Sequence, residues 1–241
     1  MPVTDDAPDV DVPFVPLERA AYVPDADALV LADLHLGRAA ASNVDAPIDD
    51  GTDVRERLAA LLERTEPATV VVAGDLLHSF DRLPRGVERD VAALESAVDD
   101  AGADLVVTAG NHDTMLAEAF DGETTPTYRL ADGETAVCHG HEPPDGDAAR
   151  YVVGHDHPAL SVDGRKLPCF LYGPDVYEGA DVLVLPAFTR LAGGATVNGM
   201  RSRDFQSPLV TDADAFHPAV RDEELEETLW FPSLGECRHL L

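Results

Sequence analysis

The chain has 241 residues, 45% of them hydrophobic, enough for one large domain or two small ones with a sizeable core. Its 46 acidic side chains outnumber 17 basic ones, giving a formal net charge of -29 with a single lysine, Lys166; such a balance normally argues against phosphate-rich partners. No uncharged apolar run approaches the ~20 residues of a membrane span, and the acidic start MPVTDDAPDVDV has neither the basic nor the apolar region of a signal peptide, so the expectation is a cytoplasmic protein with no membrane partner.

In chain order, ALVLAD (28–33), TVVVAGD (69–75) and DLVVTAGN (104–111) are strand-length runs rich in Val or Leu, of the kind buried on both faces. Between them, residues 52–64 and 83–102 are helical in type, the second stopped by Gly102. This βαβαβ order predicts parallel strands joined by right-handed crossovers. Beyond residue 125 the runs ETAVCHG (134–140), RYVVGH (150–155) and DVLVLPAF (181–188) follow, and Asp132-Gly133 and Asp163-Gly164 read as hairpin turns. The second half should therefore add antiparallel strands, for a mixed α/β domain with two sheets and helices outside. The acidic stretch from Asp212 to Glu227 is expected to be partly helical, and WFPSLGECRHLL (230–241) to dock on the body. A single domain over 1–241, with its motif-bearing core at about 25–200, is the default.

The acids recur in almost every block of ten residues rather than in one tail. That dispersal favours a halophilic protein in a cytosol of multimolar salt, where repulsion is screened within ~3 Å at 1 M. On this reading the charge reports habitat and says little about substrate. Cys138, Cys169 and Cys237 have no CxxC spacing and read as reduced thiols.

Seven of the nine histidines lie at or just beyond the C-terminal ends of the apolar runs, which is where open α/β sheets place ligands. The ends read Asp33-Leu34-His35, Gly74-Asp75-Leu76-Leu77-His78, Gly110-Asn111-His112-Asp113, His139-Gly140-His141 and Gly154-His155-Asp156-His157. Carboxylates, imidazoles and one carboxamide suit Mn²⁺, Fe or Zn²⁺ better than Ca²⁺ or Mg²⁺. On an extended strand end residues i and i+2 project to one face, so Asp33 with His35, and His155 with His157, should each aim two ligands at a common centre. A chance D-x-H in an Asp-rich chain and a histidine in an ordinary turn are the bland alternatives, but five pieces in order at strand ends outweigh them. A structural zinc site around Cys138, His139 and His141 leaves Asp33, Asp75 and Asn111 unexplained and lacks a second thiolate.

The series D-x-H, GD, GNHD, HGH and GH-x-H, from Asp33 to His157, resembles the calcineurin-like metallophosphoesterase superfamily. ADLHLG (32–37), GDLLHSF (74–80) and LPAF (185–188) are similar, more narrowly, to its archaeal ICC-like, SbcD-related phosphoesterases. The resemblance implies a four-layer α/β/β/α sandwich of two mixed sheets flanked by helices. It also implies two divalent metal ions at the rim, Mn²⁺ first, with Fe or Zn²⁺ as alternatives. One ion would take Asp33, His35, Asp75 and His157, and the other Asp75, Asn111, His139 and His155, with Asp75 bridging. His112 matches the family histidine that contacts the phosphoryl group and protonates the leaving oxygen. His141 is left as a neighbour of the ligands or of substrate, and Arg38 or Arg82 as a phosphoryl contact. Many members carry Asp where this chain has His78; here either His78 takes a different part, or Asp113 or another acid supports His112.

The implied activity is phosphate-ester hydrolysis. Because only 84 residues follow His157, a large DNA-contacting cap is not expected, and a small phosphodiesterase acting on nucleic-acid ends or single strands is favoured. The alternatives are a phosphomonoesterase acting on nucleotides or phosphoproteins, and a non-catalytic metal-binding scaffold, which would not need His112. A helicase or ligase is the protein partner in view.

Overall fold

In the computed structural model, which describes residues 12–41, 50–79 and 81–238, the Val-rich runs of the first half form the middle of a six-stranded sheet. Phe80 of the GDLLHSF motif, His239 and the acidic start up to residue 11 lie outside the described residues. Strands β1 (Val15–Leu17), β2 (Ala20–Val23), β3 (Ala28–Leu31), β4 (Thr69–Ala73), β5 (Asp104–Thr108) and β6 (Glu123–Thr125) lie side by side in that order. The ladders from β3 to β6 are parallel, as the βαβαβ order predicts, and those from β1 to β3 antiparallel. The sequence expectation starts this sheet at residue 28; the β1–β2 hairpin is too short to show a period.

Helix α1 (Arg38–Ala41) follows β3, and α2 (Asp50–Thr65) and α3 (Val87–Asp100) cover one face of the sheet. Val54, Leu58, Leu61 and Leu62 of α2, with Val87, Val91, Leu94 and Val98 of α3, form the apolar stripes, three or four residues apart. They meet Leu29, Leu31, Val70 and Val72. The alternate residues Ala28, Val30, Val71 and Ala73 point to the opposite face. Both faces are therefore apolar, which is why the strands read as continuous runs. Each fully buried valine among Val70, Val71 and Val72 contributes about 2 kcal/mol of transfer free energy.

After α4 (Leu116–Ala119) the chain continues through β7 (Thr127–Arg129), β8 (Thr135–Cys138), β9 (Arg150–Val153), β10 (Pro158–Val162), β11 (Arg165–Pro168), β12 (Phe170–Tyr177), β13 (Ala180–Val184), β14 (Ala195–Thr196), β15 (His217–Asp222) and β16 (Glu227–Trp230). Seven of these make the second sheet, in the order β16-β15-β12-β13-β9-β8-β7, with β8, β9 and β13 parallel and the rest antiparallel. Val137, Val152, Phe170, Tyr172 and Leu183 of its inner face pack on the first sheet. The parallel trio β8, β9 and β13 consists of the three apolar runs of the second half and corrects the expectation that these would be antiparallel; the overall mixed α/β sandwich is as expected. The outer face of the second sheet is covered by short pieces: the β11-β10-β14 sheet, single-turn helices and α5 (Leu234–Cys237). Asp163-Gly164 closes β10–β11 with both φ angles positive, +50° and +75°, the two-residue hairpin turn the dipeptide predicts. Asp132 anchors its turn by accepting from the Thr135 N–H and Oγ.

The tail corrects the helical expectation. Apart from a single turn at Ala213–Ala215, residues 212–227 contribute β15 and the turn into β16. Pro218 sits in β15, where a helix interior would exclude it, and β12 offers β15 an open edge. Trp230, Phe231, Leu234 and Cys237 are buried.

The LPAF segment ties the two sheets together at one end. The Phe188 N–H donates to Ala32 O at 2.8 Å, and the buried Arg57 of α2 donates to Phe188 O at 2.7 Å while its guanidinium lies 4.1 Å from the Phe188 ring centre. Arg57 also pairs with Glu18 at 2.5 Å and Asp53 at 3.3 Å. Among the described residues no helix is long and apolar enough to cross a membrane.

Candidate metal centre

The ends of β3, β4 and β5 in the first sheet meet those of β8 and β9 in the second, and the motif residues follow each strand by one to five positions. The loops continue the sheet contacts beyond the strands: the Asp33 N–H donates to Gly74 O, and the His35 N–H to Asp75 O, at 3.0 and 2.9 Å. Five of the seven expected ligands, Asp33, His35, Asp75, His155 and His157, have φ between +45° and +70°. Left-handed backbone costs a non-glycine residue about 1–3 kcal/mol and persists where surrounding contacts enforce it. These residues therefore do not project as an extended strand would, which corrects the i, i+2 argument. Asp33 and His35 do cluster, together with His157. His155 and His157 instead diverge, His155 Nδ1 lying 3.1 Å from His139 Nε2 and His157 Nε2 lying 3.1 Å from Asp33 Oδ1.

Two groups of side chains result, one on either side of Asp75. On one side His35 Nε2 lies 3.4 Å from His157 Nε2 and 3.8 Å from Asp75 Oδ2. On the other, His139 Nε2 lies 3.0 Å from Asn111 Oδ1, 3.1 Å from His155 Nδ1 and 3.5 Å from Asp75 Oδ1. His139 Nδ1 is 3.2 Å from Ala73 O, an oxygen that only accepts, so Nδ1 carries the ring proton and Nε2 presents a lone pair. That lone pair, two side-chain oxygens and a second imidazole nitrogen converge, so a cation among them turns repulsion into ligation. On the first side, His35 Nδ1 is buried without a hydrogen-bond partner among the described residues.

Glycines make the room. A Cβ on Gly110 would stand 2.1 Å from Asp75 Oδ1, and one on Gly74, whose φ is +77°, would stand 2.2 Å from His139 Nδ1. The bare backbone lets one loop carry a ligand directly over the next.

Burial, then the neighbouring Asp33 charge, pushes Asp75 up to about 8. Burial pulls His35 down to about 3 and His155 to about 4, and lowers His139 as well. Burial opposes the charged forms of Asp33 and His157, yet their mutual attraction holds Asp33 low and His157 high. Most of these imidazoles are thus neutral, with lone pairs available, and Asp75 without a cation keeps a proton. The donor set fits divalent metal ions.

His112 is joined to the cluster by its N–H, which donates to Asp75 Oδ1 at 2.9 Å, and by its Nε2, 3.9 Å from Asp75 Oδ2. Its Nδ1 lies 2.8 Å from the main-chain oxygen of His78. Asp113 does not support the ring: its carboxylate accepts from the N–H groups of Gly110, Leu76 and Leu77 and so fastens two loops together. His78 stacks on His112 at 5.7 Å between ring centres, and His35, His78 and His112 form a further triad of close nitrogens. His141 stands beside the centre, its ring 5.1 Å from that of His139. Arg38 lines the 400 Å³ cleft above the centre, whereas Arg82 is an exposed residue outside its lining. The three cysteines are buried and free, and burial raises the Cys138 thiol to about 12. Among the described residues no cysteine joins a metal-type cluster, which removes the structural zinc alternative.

Sequence reasoning missed Asp156 and Gln206. Asp156 accepts from the N–H groups of Gln206 and Ser207 at 2.8 and 3.2 Å, drawing Gln206 to the cleft wall. A contact across 50 residues leaves no local signal.

A family model described as calcineurin-like phosphoesterase matches residues 27–177, a span that holds every strand-end residue above. The fold is similar to that of nuclease MPE from Pseudomonas putida, with a TM-score of 0.62 and 24% identity over 90% of this chain and 100% of that chain. Yfce, a phosphoesterase from E. coli, aligns at a TM-score of 0.41 and 14% identity over 81% of this chain and 88% of that one. No curated protein matches the sequence.

Proposed function

The chain belongs to the calcineurin-like phosphoesterase family and is a metal-dependent phosphoric ester hydrolase; from that premise we propose a dinuclear phosphodiesterase acting on nucleic-acid ends or single strands. The observation that carries the dinuclear reading is Asp75, whose two oxygens face different partners, Oδ2 toward His35 and Oδ1 toward His139. Asp33, His35, Asp75 and His157 would hold one ion, and Asp75, Asn111, His139 and His155 the other. The mixed nitrogen and oxygen donors favour Mn²⁺, with Fe or Zn²⁺ as alternatives.

Two divalent cations in these positions would supply positive charge to phosphoryl oxygens and make an attacking water more acidic. The protein's own groups do the rest. His112 Nδ1 donates its proton to the His78 carbonyl, so Nε2 is the atom from which an imidazolium would protonate the leaving oxygen, a role worth ~10² to 10⁴ in rate. Asp113 keeps the 110–113 loop against the 75–77 loop and so holds His112 in place. Arg38, on the cleft wall, offers a guanidinium to a phosphoryl oxygen.

An open cleft of 400 Å³ leaves space for groups on both sides of a phosphate, which supports a diester. The fold likeness to a bacterial nuclease points the same way. The ADLHLG and LPAF segments support the ICC-like, SbcD-related type, and dispersed acidity supports a halophilic, archaeal, cytoplasmic setting. The test is hydrolysis of bis-p-nitrophenyl phosphate beside p-nitrophenyl phosphate, with Mn²⁺ in multimolar KCl. Diester cleavage lost with EDTA and with His112→Ala is expected. Cleavage of the monoester alone would make this a phosphomonoesterase, and two bound metals without turnover of either would favour a scaffold.

A further inference from the structure

The cleft above the metal centre does not end at His157. His157 and the loop Ala192–Gly194 form a wall shared with a second cavity of 280 Å³, whose other side carries Arg19, Lys166 and Arg190. The chain has 17 basic residues against 46 acidic ones, so three cations around one cavity go against its overall charge. Lys166 is the only lysine of the chain. Its ammonium donates to Gly194 O at 2.7 Å and has two further protons to offer.

Arg19 is held from behind. One of its terminal nitrogens donates to Ala187 O and Thr189 O at 3.2 and 2.7 Å, leaving Nε and the other terminal nitrogen as donors. Among the described residues neither Arg19 nor Lys166 forms an ion pair, whereas Arg57, Arg150, Arg190, Arg201 and Arg221 do. Arg190 is paired with Asp53 at 3.1 Å and Glu18 at 3.9 Å, but 56% of its side chain is exposed, so those pairs are weakened by solvent. Proline and alanine complete much of the lining, a neutral surround in which an anion meets no carboxylate wall.

We propose that this cavity receives a second phosphate of the substrate, next to the scissile one along a polynucleotide strand. Lys166, Arg190 and Arg19 then select substrates with at least two phosphates, and His157 marks the boundary between the two sites. The assignment rests on the phosphodiesterase reading for the sense in which it serves catalysis. The cavity's preference for a strand over a single ester can be measured apart from turnover.

Lys166→Gln and Arg190→Gln, both at exposed side chains, test it. Arg19 is left intact because it also holds two carbonyls, and since Lys166 likewise holds Gly194 O, Arg190→Gln is the variant that leaves the shared wall untouched. For a short oligothymidylate, each variant is expected to raise KM about tenfold with kcat within about twofold. Its kcat/KM for bis-p-nitrophenyl phosphate, which has one phosphate, should stay within about twofold. Fluorescence anisotropy of the same oligonucleotide in EDTA should show weaker binding, with a slope of log Kd against log salt reduced by ~0.7 per contact removed. Equal losses on both substrates, or an unchanged oligonucleotide Kd, would overturn the cavity assignment. Absence of diester turnover by the wild type would instead refute the phosphodiesterase reading, and the anisotropy comparison would still decide the cavity.

Discussion

His112 Nδ1 is 2.8 Å from the carbonyl oxygen of His78, so at this nitrogen a main-chain oxygen orients the ring. A carbonyl accepts and cannot itself become charged, and it fixes the tautomer as a carboxylate would. The identity of residue 78 should therefore matter far less than that of residue 112. His112→Ala is expected to retain its metals and lose ~10² to 10⁴ in kcat on an unactivated ester, whereas His78→Ala should keep kcat within about tenfold. Equal losses in steady-state assays would assign the orientation to the His78 side chain.

Asp75 stands between the two groups of donors, with its oxygens 3.8 Å from His35 Nε2 and 3.5 Å from His139 Nε2. Asp75→Ala should bind at most one metal equivalent per chain after dialysis against Mn²⁺. Elemental analysis giving two equivalents would rule out the bridge.

Gly110 predicts a loss of the same kind from a residue that binds nothing. A methyl group there meets Asp75 Oδ1 at 2.1 Å and Asp75 N at 2.4 Å, and the second of these is backbone that cannot turn aside. Gly110→Ala should cost about 1–3 kcal/mol in a denaturant melt and weaken metal binding. Wild-type stability together with full metal content would contradict the packing account.

The pH response of the metal-free protein follows from Asp75. Its folded carboxyl titrates at about 8, against about 4 in an unfolded chain. Between those values the folded state holds one more proton than the unfolded state, so this contribution is complete below pH ~4 and is lost as pH rises to ~8. The imidazoles lowered by burial, His35 and His155, act in the opposite direction below their unfolded value of ~6.5. From pH ~6.5 to ~8 the EDTA-treated protein should therefore become less stable, Asp75→Asn should flatten that slope, and Mn²⁺ should stabilise more at the upper end. Urea melts across this window check it, and an identical slope in both proteins would remove Asp75 as its source.

The strand ends were legible because a buried parallel strand writes itself as a Val-rich run, and a polar residue just after such a run has few places to point other than the sheet's edge. That is why ALVLAD, TVVVAGD and DLVVTAGN place Asp33, Asp75 and Asn111 at the sheet's edge. The β15–β16 hairpin was not legible, since its acidic, Pro-containing stretch becomes strand only through the edge that β12 offers.

By itself the sequence determined the βαβαβ half, the set of metal-type side chains and their order along the chain, all of which depend on local periodicity and residue chemistry. Tertiary structure alone decided how that set divides. Left-handed turns at His155 and His157 send two neighbours to opposite sides of Asp75, a main-chain oxygen orients His112, and Arg19, Lys166 and Arg190 meet at one cavity. Each depends on backbone direction or on contacts between distant segments, which residue types in a row do not encode locally.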